Sequence, residues 1–283
     1  MTLTGFVLLY IAATIAIGVI AATRVKNTSD FALAGRSLPL PMVITATFAT
    51  WFGSETILGL PGRFIESGIA GVIEEPFGSG MALILVGTFF AHKLYKQNIL
   101  TLGDYYRDRY GRSVELLCSV AIVISYLGWV GAQVTALGLV INLITEGAVS
   151  MTTGMVIGAA VVLAYTMVGG MWSVAMTDFV QMIVIVVGLV AILWFATDLA
   201  GGMDKVVDYA RGRDLFHAFP EPTTTGWLFW ISAAMTMMIG SIPQQDVFQR
   251  VMSAKNLPTA VAGPILGGSF YILFAFVPMF IVV

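Results

Sequence analysis

The chain has 283 residues, of which 58% are hydrophobic and only 11% are charged, and its formal net charge is -2. Soluble domains carry about 25% charged residues, so this composition, with a mean hydropathy of +0.91, predicts a protein embedded in a lipid bilayer. The small negative charge and the lack of a basic stripe argue against nucleic acid as a partner.

Apolar runs follow one another along the chain. A helix that crosses a bilayer needs about 20 mostly apolar residues. Eight such runs occur, at residues 3–22, 41–62, 70–91, 114–144, 149–168, 173–198, 227–249 and 260–283. They predict an all-α membrane protein with about eight transmembrane helices. The first run lacks a positively charged start and a cleavage site, so we expect it to remain as a helix and not to be removed as a signal peptide.

The second run is interrupted from within, at Gly53, Ser54 and Glu55. Non-helical backbone at membrane depth survives only where it lines a cavity or is buried in protein. Broken helices of this kind are typical of transporters, although an ordinary Gly or Pro kink in a packing helix is an alternative. The seventh run is broken in a similar way by Gly240 and Pro243.

Acidic residues inside apolar runs are the other functional signal. Each costs a few kcal/mol in the membrane and needs a partner, a cavity or a cation. Glu55 either lines a cavity or reaches the outer interface, and Glu74 and Glu75 either hold a cation or lie at the external surface. Asp178 is interpreted as a carboxylate on a cation exit path, with a helix cap or an ion pair as the alternative. Asp246 lies in the second interrupted run.

Other kinds of chemistry find no support in the sequence. His92 and His217 have no further ligands at metal-binding spacing and are predicted to be surface histidines. There is no phosphate-binding loop of the GxxxxGK[ST] type. The lone Cys118 lies in an apolar run and is interpreted as core filler. We therefore predict that the chain is not an enzyme.

Positive charges indicate the orientation in the membrane. With the N-terminus outside, ten of the 14 Lys and Arg residues fall on the inner side, which obeys the positive-inside rule. The predicted localisation is the cell membrane, as a multi-pass protein with its N-terminus outside. The long segment at residues 199–226 is then a solvated external cap.

Five segments carry a resemblance to a known family. They are residues 29–39 (SDFALAGRSLP), 101–111 (TLGDYYRDRYG), 165–173 (YTMVGGMWS) and 177–181 (TDFVQ), and the pair Gln249-Arg250. In this order they closely resemble the sodium/solute symporter family, and the nearest likeness within it is to the high-affinity choline transporters.

The resemblance implies a five-plus-five inverted-repeat fold preceded by one extra helix. Residues 1–283 would form a single transporter domain, with the extra helix in 1–25, the first repeat in 40–198 and the start of the second repeat in 226–283. The eighth run ends without a polar flank, so we expect most of the second repeat to lie beyond Val283.

The resemblance also implies a sodium site. The backbone carbonyls of Ala49 and Phe52 correspond to sodium ligands, and such hard oxygen atoms suit a hard cation. Asp178 corresponds to the aspartate of the sodium pathway. Na+ is the only cofactor expected.

Trp51 and Trp129 match aromatic residues that enclose a quaternary ammonium in choline-type members, where a desolvated cation-π contact contributes up to about 2 kcal/mol. Gln244 and Ser79 stand at two further positions where choline-type members have aromatic residues. Asp246 could pair with an amine. A choline-like amine, an amino acid and a related zwitterion are all admitted as substrates.

The predicted function is that of a sodium-coupled secondary active symporter for a small organic solute, working by alternating access. Its partners are the solute, the sodium ion and the lipid bilayer. The alternative is a transporter-like sensor module fused to a signalling domain.

Overall fold

The computed structural model describes residues 3–283, and these residues form helices with no β-strand. The α-helices are α1 (Leu3–Ala22), α2 (Thr28–Leu33), α3 (Leu40–Trp51), α4 (Leu60–Ser67), α5 (Ser79–Leu85), α6 (Ala91–Gln97), α7 (Leu102–Tyr110), α8 (Arg112–Ile144), α9 (Met151–Leu199), α10 (Met203–Gly212), α11 (Thr224–Gly240), α12 (Gln245–Ser253), α13 (Leu257–Phe274) and α14 (Phe276–Ile281). Short π-helical turns occur at Glu55–Gly59, Ile73–Gly78 and Val86–Phe90.

Polar residues between the apolar runs fix where several helices begin. The Asn27 side chain accepts the Asp30 amide at the start of α2. Thr101 and Asp104 form a capping box at the start of α7, and Ser150 caps α9. Each cap satisfies an amide that has no partner inside its helix.

Five helical segments of the described chain are long and apolar enough to cross a membrane: Leu3–Ala22, Ile69–Gln97, Arg112–Ile144, Met151–Leu199 and Leu257–Ile281. The bent pair α11 and α12 makes up to six. Helix α9 has 49 residues. At about 1.5 Å per residue it is long enough for two crossings of a hydrocarbon core of about 30 Å.

A kink at Gly170 divides α9 into two arms. Its backbone is non-helical, with φ 49° and ψ -140°. A Cβ atom at this position would lie 2.3 Å from the carbonyl oxygen of Phe31, so the position requires glycine. The predicted runs 149–168 and 173–198 therefore meet at a single-residue kink and not at a separate loop.

In the first interrupted run, α3 packs against α13. Phe48 and Phe52 stack with ring centroids 4.8 Å apart and both contact Tyr271 edge-on. Small residues let the helices approach closely: a Cβ on Gly267 would lie 3.0 Å from the Cβ of Thr47. This packing holds the broken helix against the start of the second half of the chain.

The segment at residues 199–226 differs from the predicted solvated cap. It contains α10, which buries Val206 and Ala210. Leu215 is also buried, in a cluster with Phe64 and Met279. Val206 and Ala210 are four residues apart and share one helix face, so the charged residues of α10 face outward while its apolar face covers the bundle.

Candidate functional site

The first break begins where α3 ends at Trp51. Phe52 leaves the helix with φ -84° and ψ 68°. The amide of Gly53 donates to the carbonyl of Trp51 at 3.0 Å, and the amide of Ser54 donates to Gln133 Oε1 at 3.1 Å. In a continuous helix these amides would bond to the carbonyls of Ala49 and Thr50. The redirected Gly53 amide therefore leaves the carbonyl of Ala49 without the hydrogen bond that a continuous helix would give it.

Gln133 of α8 holds this break in place. Its Oε1 accepts both the amide and the hydroxyl of Ser54, the latter at 3.0 Å. A Cβ on Gly53 would lie 3.0 Å from the same oxygen, so the glycine permits this close approach. Gln133 was missed in the sequence reasoning. The signal available was an amide side chain in the middle of a long apolar helix.

The second break lies between Gly240 and Gln245, where α11 and α12 meet at 45°. Gln244 has extended backbone, with φ -87° and ψ 139°. The hydroxyl of Tyr126 on α8 donates to Asp246 Oδ1 and accepts the amide of Asp246 at 3.1 Å. Both breaks are therefore attached to α8.

A cavity of about 460 Å³ lies between the two breaks. Four residues predicted to contact substrate line it together: Trp51, Trp129, Gln244 and Asp246. Ser79, the fifth, does not line this cavity. Its side chain is fully buried and its hydroxyl lies 3.4 Å from the carbonyl of Glu74.

The cavity is lined by three carboxylates, of Glu55, Glu75 and Asp246, against one guanidinium, of Arg250. Arg250 Nη1 donates to the carbonyl of Asp246 at 3.3 Å, and its Nε is buried without a hydrogen-bond partner among the described residues. An excess of negative charge beside the faces of Trp51 and other aromatic rings is suited to a cation.

Glu75 is held from behind by two hydroxyl groups. Thr56 Oγ1 donates to Glu75 Oε1 at 2.9 Å, and the hydroxyl of Tyr271 donates to the same oxygen. Thr56 and Tyr271 are fully buried, with hydroxyls 3.0 Å apart. The sequence admits either a cation-holding role or a position at the external surface for Glu75, and the structure places it on the cavity wall.

Glu74 and Glu55 line a second cavity of about 260 Å³. Glu74 pairs with Arg63, and the Arg63 side chain is 59% exposed. Glu55 is exposed and lines both cavities, as does Glu75. The carboxylates therefore follow a polar route from the exposed ion pair to the main cavity.

Asp178 lies on the second arm of α9 and is not part of the cavity wall. It is half-buried. His92 and His217 are both exposed, as predicted.

The family model for the sodium:solute symporter family matches residues 31–283. Similar curated proteins include High-affinity choline transporter 1 of Caenorhabditis elegans, 29% identical over 258 residues, which cover 90% of this chain and 43% of that protein. High affinity choline transporter 1 of Homo sapiens is 30% identical over 254 residues, covering 85% of this chain and 42% of that protein. Sodium/glucose cotransporter 4 of Danio rerio is 27% identical over 302 residues, covering 98% of this chain and 45% of that protein.

A solved structure of a Na+-coupled sialic acid symporter, in a substrate-bound outward-open state, shares the fold with a TM-score of 0.81 and 20% identity. The match covers 96% of this chain and 57% of that chain. The chain thus spans less than half the length of the curated relatives named above. These relatives are transporters, which points to a protein that is not an enzyme, and they give no support to a sensor module. The chain belongs to the sodium:solute symporter family.

Proposed function

We propose that the protein is a sodium-coupled symporter that moves a small, positively charged or zwitterionic organic solute by alternating access. The observation that carries the proposal is the cavity between the two helix breaks, lined by aromatic rings and by more carboxylates than cations. A choline-like amine, an amino acid and a related zwitterion all fit this description. Trp51 and Trp129 would supply the aromatic faces, and Gln244 and Asp246 the polar contacts.

In this proposal sodium binds at the end of α3, through the carbonyls of Ala49 and Phe52. The redirected amide of Gly53 supports the role of Ala49, because in a continuous helix it would occupy the Ala49 carbonyl. Asp178 would lie on the release path of the cation. Ser79 remains a prediction that the lining of the cavity does not support.

The proposed arrangement in the membrane follows the family resemblance. The protein is a multi-pass protein of the cell membrane with its N-terminus outside. Helix α1 would be the extra helix, residues 40–198 the first inverted repeat, and residues 226–283 the start of the second. The broken helices would then be the first member of each repeat, a placement typical of substrate sites in such folds.

The test is solute uptake by the full-length gene product in proteoliposomes. A panel of labelled choline, proline and glucose is offered under an inward sodium gradient, with a potassium gradient as the control. We expect sodium-driven accumulation of at least one solute, and its loss in Trp51→Ala, Gln244→Ala and Asp178→Ala. Uptake that is equal in the two gradients would overturn the function, and unchanged variants would overturn the site.

A further inference from the structure

Resting on the proposed function, we propose that the solute binds through an ammonium group that carries N–H donors, and that Glu75 is the residue that accepts them. Amines with N–H groups would then be preferred over quaternary ammonium compounds of the same skeleton. Glu75 would be a specificity-determining residue of the cavity.

The first observation is that Glu75 is fixed in place before any solute arrives. Thr56 and Tyr271 both donate to Oε1. Oε2 takes no hydrogen bond from the described part of the chain, and Glu75 lines the cavity. A carboxylate anchored through one oxygen leaves the other oriented and available, so little side-chain freedom is lost when a ligand binds.

The second observation is that the cavity wall has an excess of hydrogen-bond acceptors. Glu55 lines the same cavity, and its carboxylate takes no hydrogen bond or ion pair from residues 3–283. Asp246 receives the hydroxyl of Tyr126 on Oδ1. Carboxylates accept hydrogen bonds and cannot donate them. A ligand that displaces water here must therefore bring donors of its own.

Hydrogen-bond acceptors discriminate between ammonium ions with N–H groups and quaternary ammonium ions, whereas aromatic faces do not. The faces of Trp51 and Trp129 attract any ammonium. A quaternary ammonium has no N–H group, so it removes water from Glu75 without replacing the hydrogen bonds, and an acceptor left unsatisfied in this way is costly. A primary or secondary ammonium replaces them with charge-assisted bonds.

A methylation series tests the proposal. Ethanolamine, N-methylethanolamine, N,N-dimethylethanolamine and choline share one skeleton, and each successive methyl group replaces one N–H. Binding of each compound to the full-length protein in sodium is measured as thermal stabilisation over a range of concentrations. We expect affinity to fall along the series, with ethanolamine binding at least about tenfold more tightly than choline. Choline binding as tightly as ethanolamine would overturn the proposal.

Variants assign the preference to Glu75. In Glu75→Gln the ratio of ethanolamine to choline affinity should fall close to one, and in Tyr271→Phe it should fall part of the way. The matched control is Glu66→Gln, an exposed carboxylate on α4 that lines neither cavity. A preference that persists in Glu75→Gln would overturn the role of Glu75. If that variant does not fold, the wild-type series and Tyr271→Phe still decide.

Amine binding and sodium-driven uptake test the ammonium site and the proposed function separately. If no amine of the series binds while a sodium gradient drives uptake of glucose, the ammonium site is wrong and symport stands. If a sodium gradient drives uptake of none of the panel solutes, the proposed function itself is wrong.

Discussion

At the scale of single residues, the break in α3 depends on a side chain from another helix. The amide of Ser54 has no helical partner and is satisfied by Gln133 of α8. A buried amide without an acceptor costs about 1–3 kcal/mol. By accepting this amide, Gln133 stabilises the unwound conformation at the end of α3.

Replacing Gln133 by Leu should therefore weaken sodium binding. Without Gln133 the end of α3 would rewind: the Ser54 amide would return to the carbonyl of Thr50 and the Gly53 amide to the carbonyl of Ala49, one of the two oxygen atoms proposed to hold sodium. We expect the half-saturating sodium concentration for uptake to rise by about five- to tenfold, given the magnitude of one such hydrogen bond.

The matched control is Thr135→Val on the same helix, because Thr135 is exposed and its hydroxyl bonds to the carbonyl of Gly131. It should leave the sodium dependence unchanged. Equal half-saturation in Gln133→Leu and the wild type would contradict the role given to Gln133.

The site could be predicted in part from single residues. Trp51, Trp129, Gln244 and Asp246 were singled out in the sequence and meet in one cavity. Gln133, Tyr126 and the Thr56–Tyr271 pair could not be assigned, because each acts through a contact between helices distant in the chain. The local sequence around a hydroxyl does not indicate which distant carboxylate that hydroxyl will hydrogen-bond.

At the scale of helices, the kink in α9 rests on one glycine. Gly170 combines a positive φ with a Cβ position 2.3 Å from the Phe31 carbonyl oxygen. Gly170→Ala should therefore lower stability by about 2 kcal/mol or more, since strain of this kind alone costs about 1–3 kcal/mol. Thermal melting should show a fall of roughly 5 °C or more.

Gly188 on the same helix is the control for this prediction. A Cβ there would meet no atom within 4 Å. Gly188→Ala should leave the melting temperature unchanged or raise it, because Ala is favoured over Gly in a helix by up to about 1 kcal/mol. Equal melting of the two variants would show that the kink does not require glycine.

The contact between α5 and α13 is a second element that depends on small residues. A Cβ on Gly268 would lie 2.7 Å from the carbonyl oxygen of Gly80. Backbone cannot move aside as a side chain can, so Gly268→Ala should separate the helices and cost about 1–3 kcal/mol. Gly62→Ala, at an open position on α4, is the control. Wild-type melting of Gly268→Ala would contradict this account of the packing.

Apolar length predicted the position of most helices because it is a local property. The first run at residues 3–22 coincides with Leu3–Ala22. A turn at residues 165–172 was predicted, but its reduction to a one-residue kink at Gly170 and the helix at Met203–Gly212 were not. The first depends on a close approach of Phe31, and the second buries only a narrow face in an otherwise charged segment.

At the scale of the whole molecule, the cavity joins parts of the chain far apart in sequence. Trp51 comes from α3, Trp129 from α8 and Gln244 from the second break. Helix α3 also ends at the proposed sodium site. A cation that fixes the end of α3 would therefore fix one wall of the substrate cavity. Such coupling is reciprocal: each ligand must raise the affinity for the other by the same factor.

The most direct measurement of this coupling is equilibrium binding of the transported solute to the full-length protein, once in sodium and once in potassium at equal ionic strength. We expect tighter solute binding in sodium, by about fivefold or more. Sodium binding should tighten by the same factor when the solute is present. A solute affinity that is the same in sodium and in potassium would contradict this coupling.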